Sequence, residues 1–271
     1  MCVEMLAAAM RRHASSSDVL EAACSTLGGC MAGRADLQAV ASTNGAAEEV
    51  VGAMRRFQGT AELQTWACGA VAGLAANHPS NQASIAACRG IDAVLTAMKR
   101  HPDSTMLQMM ACGALGNLSA NNLNNQTAIA AGGGVDIVLA AMQRHEDASE
   151  VQQSAIGALW CLVKRSPENQ QLVSRSGGTE LIVDAVQKHR NDAALRAMAS
   201  GALQVLIPGL GDAMVAALNG SNSSRQPAAA AWETPRPAPN PPAAAAAPQA
   251  QPQAQPQAQP SAATAAASAA P

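Results

Sequence analysis

The chain has no tyrosine and one phenylalanine, Phe57, and aromatic residues make up only 1% of its 271 residues. A core without aromatics must be filled by Ala, Leu, Val and Met. Such side chains suit closely packed helices better than sheets, which favour β-branched and aromatic residues. Neither sign of charge dominates: the formal net charge is −2 and the pI is about 6.2. Without a basic field, no nucleic-acid partner is expected. The seven cysteines are an odd number without a C-x-x-C pair, as expected of reduced thiols inside a cell. No uninterrupted apolar run is long enough to span a bilayer. The apolar segment 1–10 is broken by Glu4 and followed by Arg11 and Arg12, the reverse of a signal peptide. The expected protein is soluble, in the cytosol or nucleus, with no membrane insertion. There is no Gly-rich phosphate loop, no Gly-x-Ser-x-Gly elbow and no zinc-ligand spacing. Neither catalysis nor a cofactor nor a metal is expected.

What is present is a repeat. Ala-Ala-Met-Arg-Arg-His (8–13) recurs as Gly-Ala-Met-Arg-Arg-Phe (52–57), Thr-Ala-Met-Lys-Arg-His (96–101), Ala-Ala-Met-Gln-Arg-His (140–145) and Asp-Ala-Val-Gln-Lys-His (184–189). A second segment keeps the step: Ala-Cys-Ser-Thr-Leu-Gly-Gly-Cys (23–30), then Ala-Cys-Gly-Ala-Val-Ala-Gly-Leu (67–74), Ala-Cys-Gly-Ala-Leu-Gly-Asn-Leu (111–118), Ala-Ile-Gly-Ala-Leu-Trp-Cys-Leu (155–162) and Ala-Ser-Gly-Ala-Leu-Gln-Val-Leu (199–206). A third, Asn-Gln-x-x-Ile/Val, stands at 81–85, 125–129 and 169–173. Five copies share one period without insertion or deletion, the mark of an array of like units.

Each unit reads as three helices. Asn81, Asn125 and Asn169 are expected N-caps of a short first helix. Gly90, Gly134 and Gly178 are expected to end the link to the second helix, with Gly45 in the same place one copy earlier. The second helix carries apolar residues at helical spacing, such as Ile91, Val94, Leu95 and Met98. The third carries a longer stripe: Leu107, Ala111, Leu115 and Leu118, with equivalents Val151, Ala155, Leu159, Leu162 and Leu195, Ala199, Leu203, Leu206. One unit alone cannot bury that stripe; stacked neighbours can.

Three helices per unit, a Gly-Gly entry and a small-residue third helix resemble the armadillo repeat over residues 1–218. The wording x-Gln-x-x-Ala-Cys-Gly-Ala-Leu-x-Asn-Leu, Asn-Gln-x-x-Ile, Gly-Gly and Ala-Met-x-x-His is similar to the armadillo region of leucine-rich repeat kinases and related stand-alone armadillo proteins. The resemblance implies an all-α, right-handed α-solenoid of about five repeats whose third helices line a concave groove. Importin-like members grip extended peptides there with Trp and Asn ladders. The Trp places here hold Ser25, Gly69, Gly113, Gly157 and Gly201. The Asn places hold Gly29, Gly73, Asn117, Cys161 and Val205. Only Asn117 matches, which counts against a nuclear-import adaptor.

Each conspicuous residue has a structural reading beside the functional one. Gly69, Gly113, Gly157 and Gly201 cost about 1 kcal/mol each against Ala in a helix. They serve either close packing of neighbouring third helices or a shallow groove floor. Trp160 replaces Gly28, Ala72, Gly116 and Gln204 of the other copies and is expected partly exposed at the groove. Trp66 is expected packed between repeats. His13, His101, His145 and His189 close second helices. Neighbouring repeats stand about 8–10 Å apart, and zinc needs ligands within about 2.1 Å, so these histidines are read as structural. Arg12, Arg56, Arg100, Arg144 and Lys188 form a basic stripe that complements helix dipoles or meets an acidic partner. Cys24, Cys68 and Cys112 are read as small core residues a repeat apart, too far for a disulfide. Asn117-Leu-Ser and Asn125-Gln-Thr match a glycosylation pattern, set aside for want of a secretory signal.

Beyond about residue 219 the chain is rich in Pro, Ala and Gln. A disordered tail over 219–271 is expected, with Trp232 its only large side chain. Pro208 is expected to open a capping helix over 207–218. At the other end, Val3, Leu6 and Met10 of an incomplete first unit are expected to be exposed, to be self-associated or to mark a truncated gene model. The leading expectation is a non-catalytic scaffold or adaptor that holds another protein, a peptide segment or a helix, on the concave face. The residues on which it rests are Asn117, Trp160, Gly69, Gly73, Gly113, Gly157 and Cys161. The alternatives are a structural or self-assembly module, or a piece of a larger multidomain protein.

Overall fold

The computed structural model describes residues 2–31 and 33–209. Among the described residues there are fourteen α-helices and no strand. An incomplete unit comes first: α1 (Cys2–Arg12) and α2 (Ser17–Met31). Four full units follow: α3 (Ala35–Thr43), α4 (Ala46–Arg56) and α5 (Ala61–Ala75); α6 (Pro79–Ala87), α7 (Gly90–Arg100) and α8 (Thr105–Ser119); α9 (Leu123–Ala131), α10 (Gly134–Arg144) and α11 (Ser149–Val163); α12 (Pro167–Arg175), α13 (Gly178–Lys188) and α14 (Ala193–Leu206). The chain is an all-α solenoid of like units.

Each helix forms for local reasons. The short first helices α6, α9 and α12 are capped by His78, Asn122 and Ser166, whose side chains accept from the N–H of Asn81, Asn125 and Asn169. The expected caps Asn81, Asn125 and Asn169 therefore lie three residues inside the helix, and their side chains do something else, described below. The link to each second helix turns through a left-handed residue. Gly45, Gly133 and Gly177 hold φ of 70–77°, and Arg89 holds the same place at 67°. Gly90, Gly134 and Gly178 stand one position later, so Gly45 is not their equivalent; Ala46 is. Their reason is space: a Cβ at Gly134 would lie 2.4 Å from Ile129 Cγ2, and one at Gly178 would lie 2.6 Å from Val173 Cγ1.

The core runs continuously through the units. Leu107, Ala111, Leu115 and Leu118 are buried, as are Val151, Ala155, Leu159, Leu162, Leu195, Ala199 and Leu203. Burying one such Leu contributes about 1.5–3 kcal/mol. Leu206, the last of its stripe, is only partly buried. The second-helix residues Ile91, Val94, Leu95 and Met98 are buried too. In the first unit Val3 and Met10 are buried and Leu6 is half-buried, against the expectation of an open apolar face, because α2 and α4 pack on α1. Met5 is the residue left outside, 65% exposed. The expected tail, Trp232 and almost all of the expected capping helix lie outside the described residues.

Candidate functional site

The third helices pack on one another in order, α2 on α5, α5 on α8, α8 on α11 and α11 on α14. Small residues set how closely they approach. A Cβ at Gly28 would lie 3.1 Å from the backbone of Gly69, and one at Gly73 would lie 3.0 Å from Met31 Cβ. At the α8–α11 seam a Cβ at Gly116 would lie 3.4 Å from Ala158 Cα. The helices close over one another as a result. Every residue of α8 from Leu107 to Ser119 is buried.

That closure decides the fate of the expected groove residues. Gly73, Gly113 and Gly157 are buried and Gly69 is half-buried. Asn117, the one match to a peptide-gripping ladder, is only 2% exposed, and its Nδ2 donates to the Ala72 carbonyl at 2.9 Å. It is therefore no groove ligand: its amide is spent on the neighbouring third helix. The close-packing reading of the glycines holds at Gly201, where a Cβ would lie 2.8 Å from Trp160 Cε2. At Gly69 the nearest atom to a Cβ would be Met110 Sδ at 3.5 Å, ordinary contact, so packing alone does not demand glycine there.

Trp160 stays half-buried. In the first three copies its place is taken by Gly or Ala, which let the next helix in. Here the indole fills that seam and rests on Gly201. Lys164 Nζ stands 5.9 Å from the ring centroid, within cation–π range. Cys161, next to it, is half-buried, and burial pushes its thiol up to about 11. A thiol held that high is protonated at neutral pH and a poor nucleophile. Trp66 is also half-buried against the core. All seven cysteines are free.

The Asn-Gln pairs do work that sequence reasoning missed. Gln82 Nε2 spans its own unit from α6 to the end of α8, donating to the carbonyls of Asn117 at 2.8 Å and Ala120 at 3.3 Å, and also donates to the Ala75 carbonyl of the preceding unit at 3.3 Å. Gln38 and Gln126 repeat this on Gly73 and Ala76 and on Cys161 and Lys164. Asn125 Nδ2 donates to the Leu118 carbonyl at 2.9 Å and back to the Gln82 carbonyl at 3.5 Å. Asn81 and Asn169 do the same one repeat either side. The last carbonyls of a helix have no partner within it. In this array they are satisfied by Gln amides of the same unit's first helix and by Asn amides of the following unit, and the Asn bonds lock the register between units. Gln64, Gln108 and Gln152 serve the second helices alike; Gln108 donates to Met98 and His101 carbonyls at 3.0 Å. The signal was in the sequence as recurrence: buried Asn and Gln at fixed places in an otherwise apolar pattern.

The histidines bridge units as well. His101, His145 and His189 each place Nε2 at 2.8 Å from a carbonyl of the preceding unit: Gln58, Pro102 and Glu146. The basic stripe divides. Arg144 meets Asp103, and Lys188 meets Glu146 at 3.2 Å and Asp147 at 2.6 Å; the lysine holds the Asp147 carboxyl below its usual range. Arg56 donates to the Ala14 carbonyl.

No protein-family model matches the chain, and no curated protein matches it. Solved structures do. Two engineered proteins from a structural genomics consortium superpose with TM-scores of 0.68 and 0.67, at 22% and 20% identity. Each comparison covers 80% of this chain and 86% of the other. A structure from work on cadherin and β-catenin gives a TM-score of 0.41 at 18% identity, over 75% of this chain and 45% of that one. At these identities the first two likenesses show the fold alone, and the third carries no argument. Among the described residues no helix is long and apolar enough to cross a membrane. The fold that these comparisons and the fourteen helices establish is a helical repeat.

Proposed function

We propose that this armadillo-like array is a non-catalytic, protein-binding scaffold of the cytosol or nucleus, contacting its partner through the third-helix layer around Trp160. The observation that carries the reading is Trp160 itself. It is the one large aromatic placed where other copies hold Gly28, Ala72 and Gly116, it remains half-exposed, and a cation stands over its ring. Aromatic anchors supply a disproportionate share of interface energy. Asn117 is buried with its amide on the Ala72 carbonyl, which supports a partner that lies across the third-helix face over one gripped by a ladder of asparagines. That again disfavours the import-adaptor reading.

Affinity capture with quantitative mass spectrometry, comparing the native chain with Trp160→Phe and Trp160→Ala, tests this. Partners should be lost with the alanine variant and partly kept with phenylalanine, at unchanged helicity. Equal capture by all three sinks the assignment.

Exposed Met5 favours a second reading, self-association through α1. Sedimentation velocity over a range of concentrations, on the native chain and Met5→Glu, separates the two. A monomer at every concentration removes self-association.

A further inference from the structure

The second helices end in two rows of cations. Arg11, Arg55 and Lys99 form one row, and Arg12, Arg56, Arg100, Arg144 and Lys188 the other. The first row faces forward, toward the next second helix. Arg11 lies 3.6 Å from Glu49 of α4. Arg55 lines a recess between α4 and α7, and Lys99 lines a larger cavity of about 450 Å³ between α7 and α10. The second row faces back, toward the turn of the preceding unit, as Arg56, Arg144 and Lys188 do in their contacts with Ala14, Asp103 and Glu146 with Asp147.

Each seam between second helices thus receives a forward residue and a backward one, and at three of the four seams the chain supplies an acceptor for the backward cation, the forward cation or both. Between α1 and α4 the acceptors are Glu49 and the Asn44 and Ala14 carbonyls. Between α7 and α10, Asp103 takes Arg144, while Lys99 has no ion pair or hydrogen bond among the described residues. Between α10 and α13 the forward residue is the uncharged Gln143, and Glu146 and Asp147 take Lys188.

The seam between α4 and α7 differs in that neither of its two cations is answered. Its cations are Arg55 and Arg100, both exposed. The place of Asp103 is held by Gly59 and the place of Glu49 by Ala93. Among the described residues neither arginine has an ion pair or hydrogen bond. The recess beside Arg55 has an apolar floor of Met54, Ala93 and Ala97, with Gln58 and Thr96 at its polar margin. The carboxylate on α4 that shares surroundings with Arg55 is Glu48, both acting on the Cys88 thiol at the end of α6, and Asp103 is already engaged.

We propose that the α4–α7 seam binds a carboxylate-bearing segment of a partner protein, held by Arg55 and Arg100. The chain's own arrangement one unit later states the chemistry: the equivalent of Arg100 binds an aspartate side chain. A Glu or Asp followed by a small apolar residue would satisfy both the arginines and the floor. This site deepens the scaffold reading but lies on the second-helix layer, away from Trp160.

The probe is a fluorescein-labelled peptide of alternating Glu and Ala, followed by anisotropy with the full chain. Binding should weaken as salt rises. Arg55→Gln and Arg100→Gln should each weaken it roughly two- to fivefold, the range of an exposed ion pair. The decisive variant is Gly59→Asp. A Cβ at Gly59 meets nothing within 4 Å, so the substitution fits, and it supplies internally the carboxylate that the seam lacks. It should fold normally and lose most of the peptide affinity. Arg144→Gln, which removes a cation already answered by Asp103, should bind as the native chain does. Undiminished binding by Gly59→Asp, no binding by the native chain, or displacement by inorganic phosphate in preference to free glutamate would each overturn the proposal. Loss of peptide binding in Trp160→Ala would assign the peptide to the other face and equally overturn it, while a null result here leaves the Trp160 capture experiment untouched.

Discussion

Trp160 rests on Gly201 of the following unit so closely that a methyl group at 201 would stand 2.8 Å from its Cε2. A glycine inside a helix ordinarily costs about 1 kcal/mol against alanine. Gly201→Ala should recover that and lose more, because overpacking costs about 1–3 kcal/mol when a ring must move. Gly52 in α4 is the internal control, since a Cβ there meets nothing within 4 Å. Thermal unfolding should show Gly52→Ala raised and Gly201→Ala unchanged or lowered, with a shifted tryptophan emission in the second. A rise in both would contradict the packing.

The amide relay gives a second pair. Asn122 Nδ2 donates to Gln82 Oε1 at 3.0 Å. One unit later the residue is Ser166, and Gln126 Oε1 is buried without a protein partner. Ser166→Asn should supply the missing donor and stabilise by about 1 kcal/mol. Asn125→Ala, which removes both of its Nδ2 bonds, should cost about 1–3 kcal/mol. Urea midpoints at unchanged m-value check both.

The left-handed residue before α7 is Arg89, where the other full units use glycine. That conformation costs a non-glycine residue about 1–2 kcal/mol. The Arg89–Asp92 pair at 3.0 Å is exposed and contributes little. Arg89→Gly should therefore raise stability by roughly 0.5–1 kcal/mol even after glycine's greater freedom in the unfolded chain. A lower melting temperature would show the ion pair to matter more than the backbone.

The column of Cys24, Cys68 and Cys112 sets an alkaline limit. Burial pushes the thiols of Cys24 and Cys112 up to about 12 from an ordinary 9.0, and raises Cys68 as well. Below pH 9 the folded and unfolded chains both keep these protons, and the stabilisation is whole. Above it the unfolded chain releases them first, so stability falls between pH 9 and 12, by about 1.4 kcal/mol per pH unit for each thiol. Denaturant midpoints across this range should fall less steeply for Cys112→Ala than for the native chain. A thiol reagent at neutral pH should label exposed Cys2 first and leave these three until unfolding.

How much of this was legible beforehand follows from the reach of each interaction. A repeat with helical spacing inside it is a property of the chain alone. Residues such as Ile91, Val94, Leu95 and Met98 share a face because of the 3.6-residue turn, whatever lies nearby. The all-α array, its helix order and its buried stripes were therefore readable from sequence. So was the partial exposure of Trp160, an outlier against its copies.

The tertiary structure decided what crosses between helices and between units. Gln82 finds its acceptors 35 and 38 residues away, and nothing in local periodicity says which helix stands there. Asn81, Asn125 and Asn169 looked like caps because only the distance to the helix start was visible. Asn117 looked like a ligand until the neighbouring helix was in place to take its amide. The same holds for Trp160. Its oddness was written in the sequence, but its seat on Gly201 exists only because stacking brings α14 against α11, where the one position without a side chain leaves room for an indole.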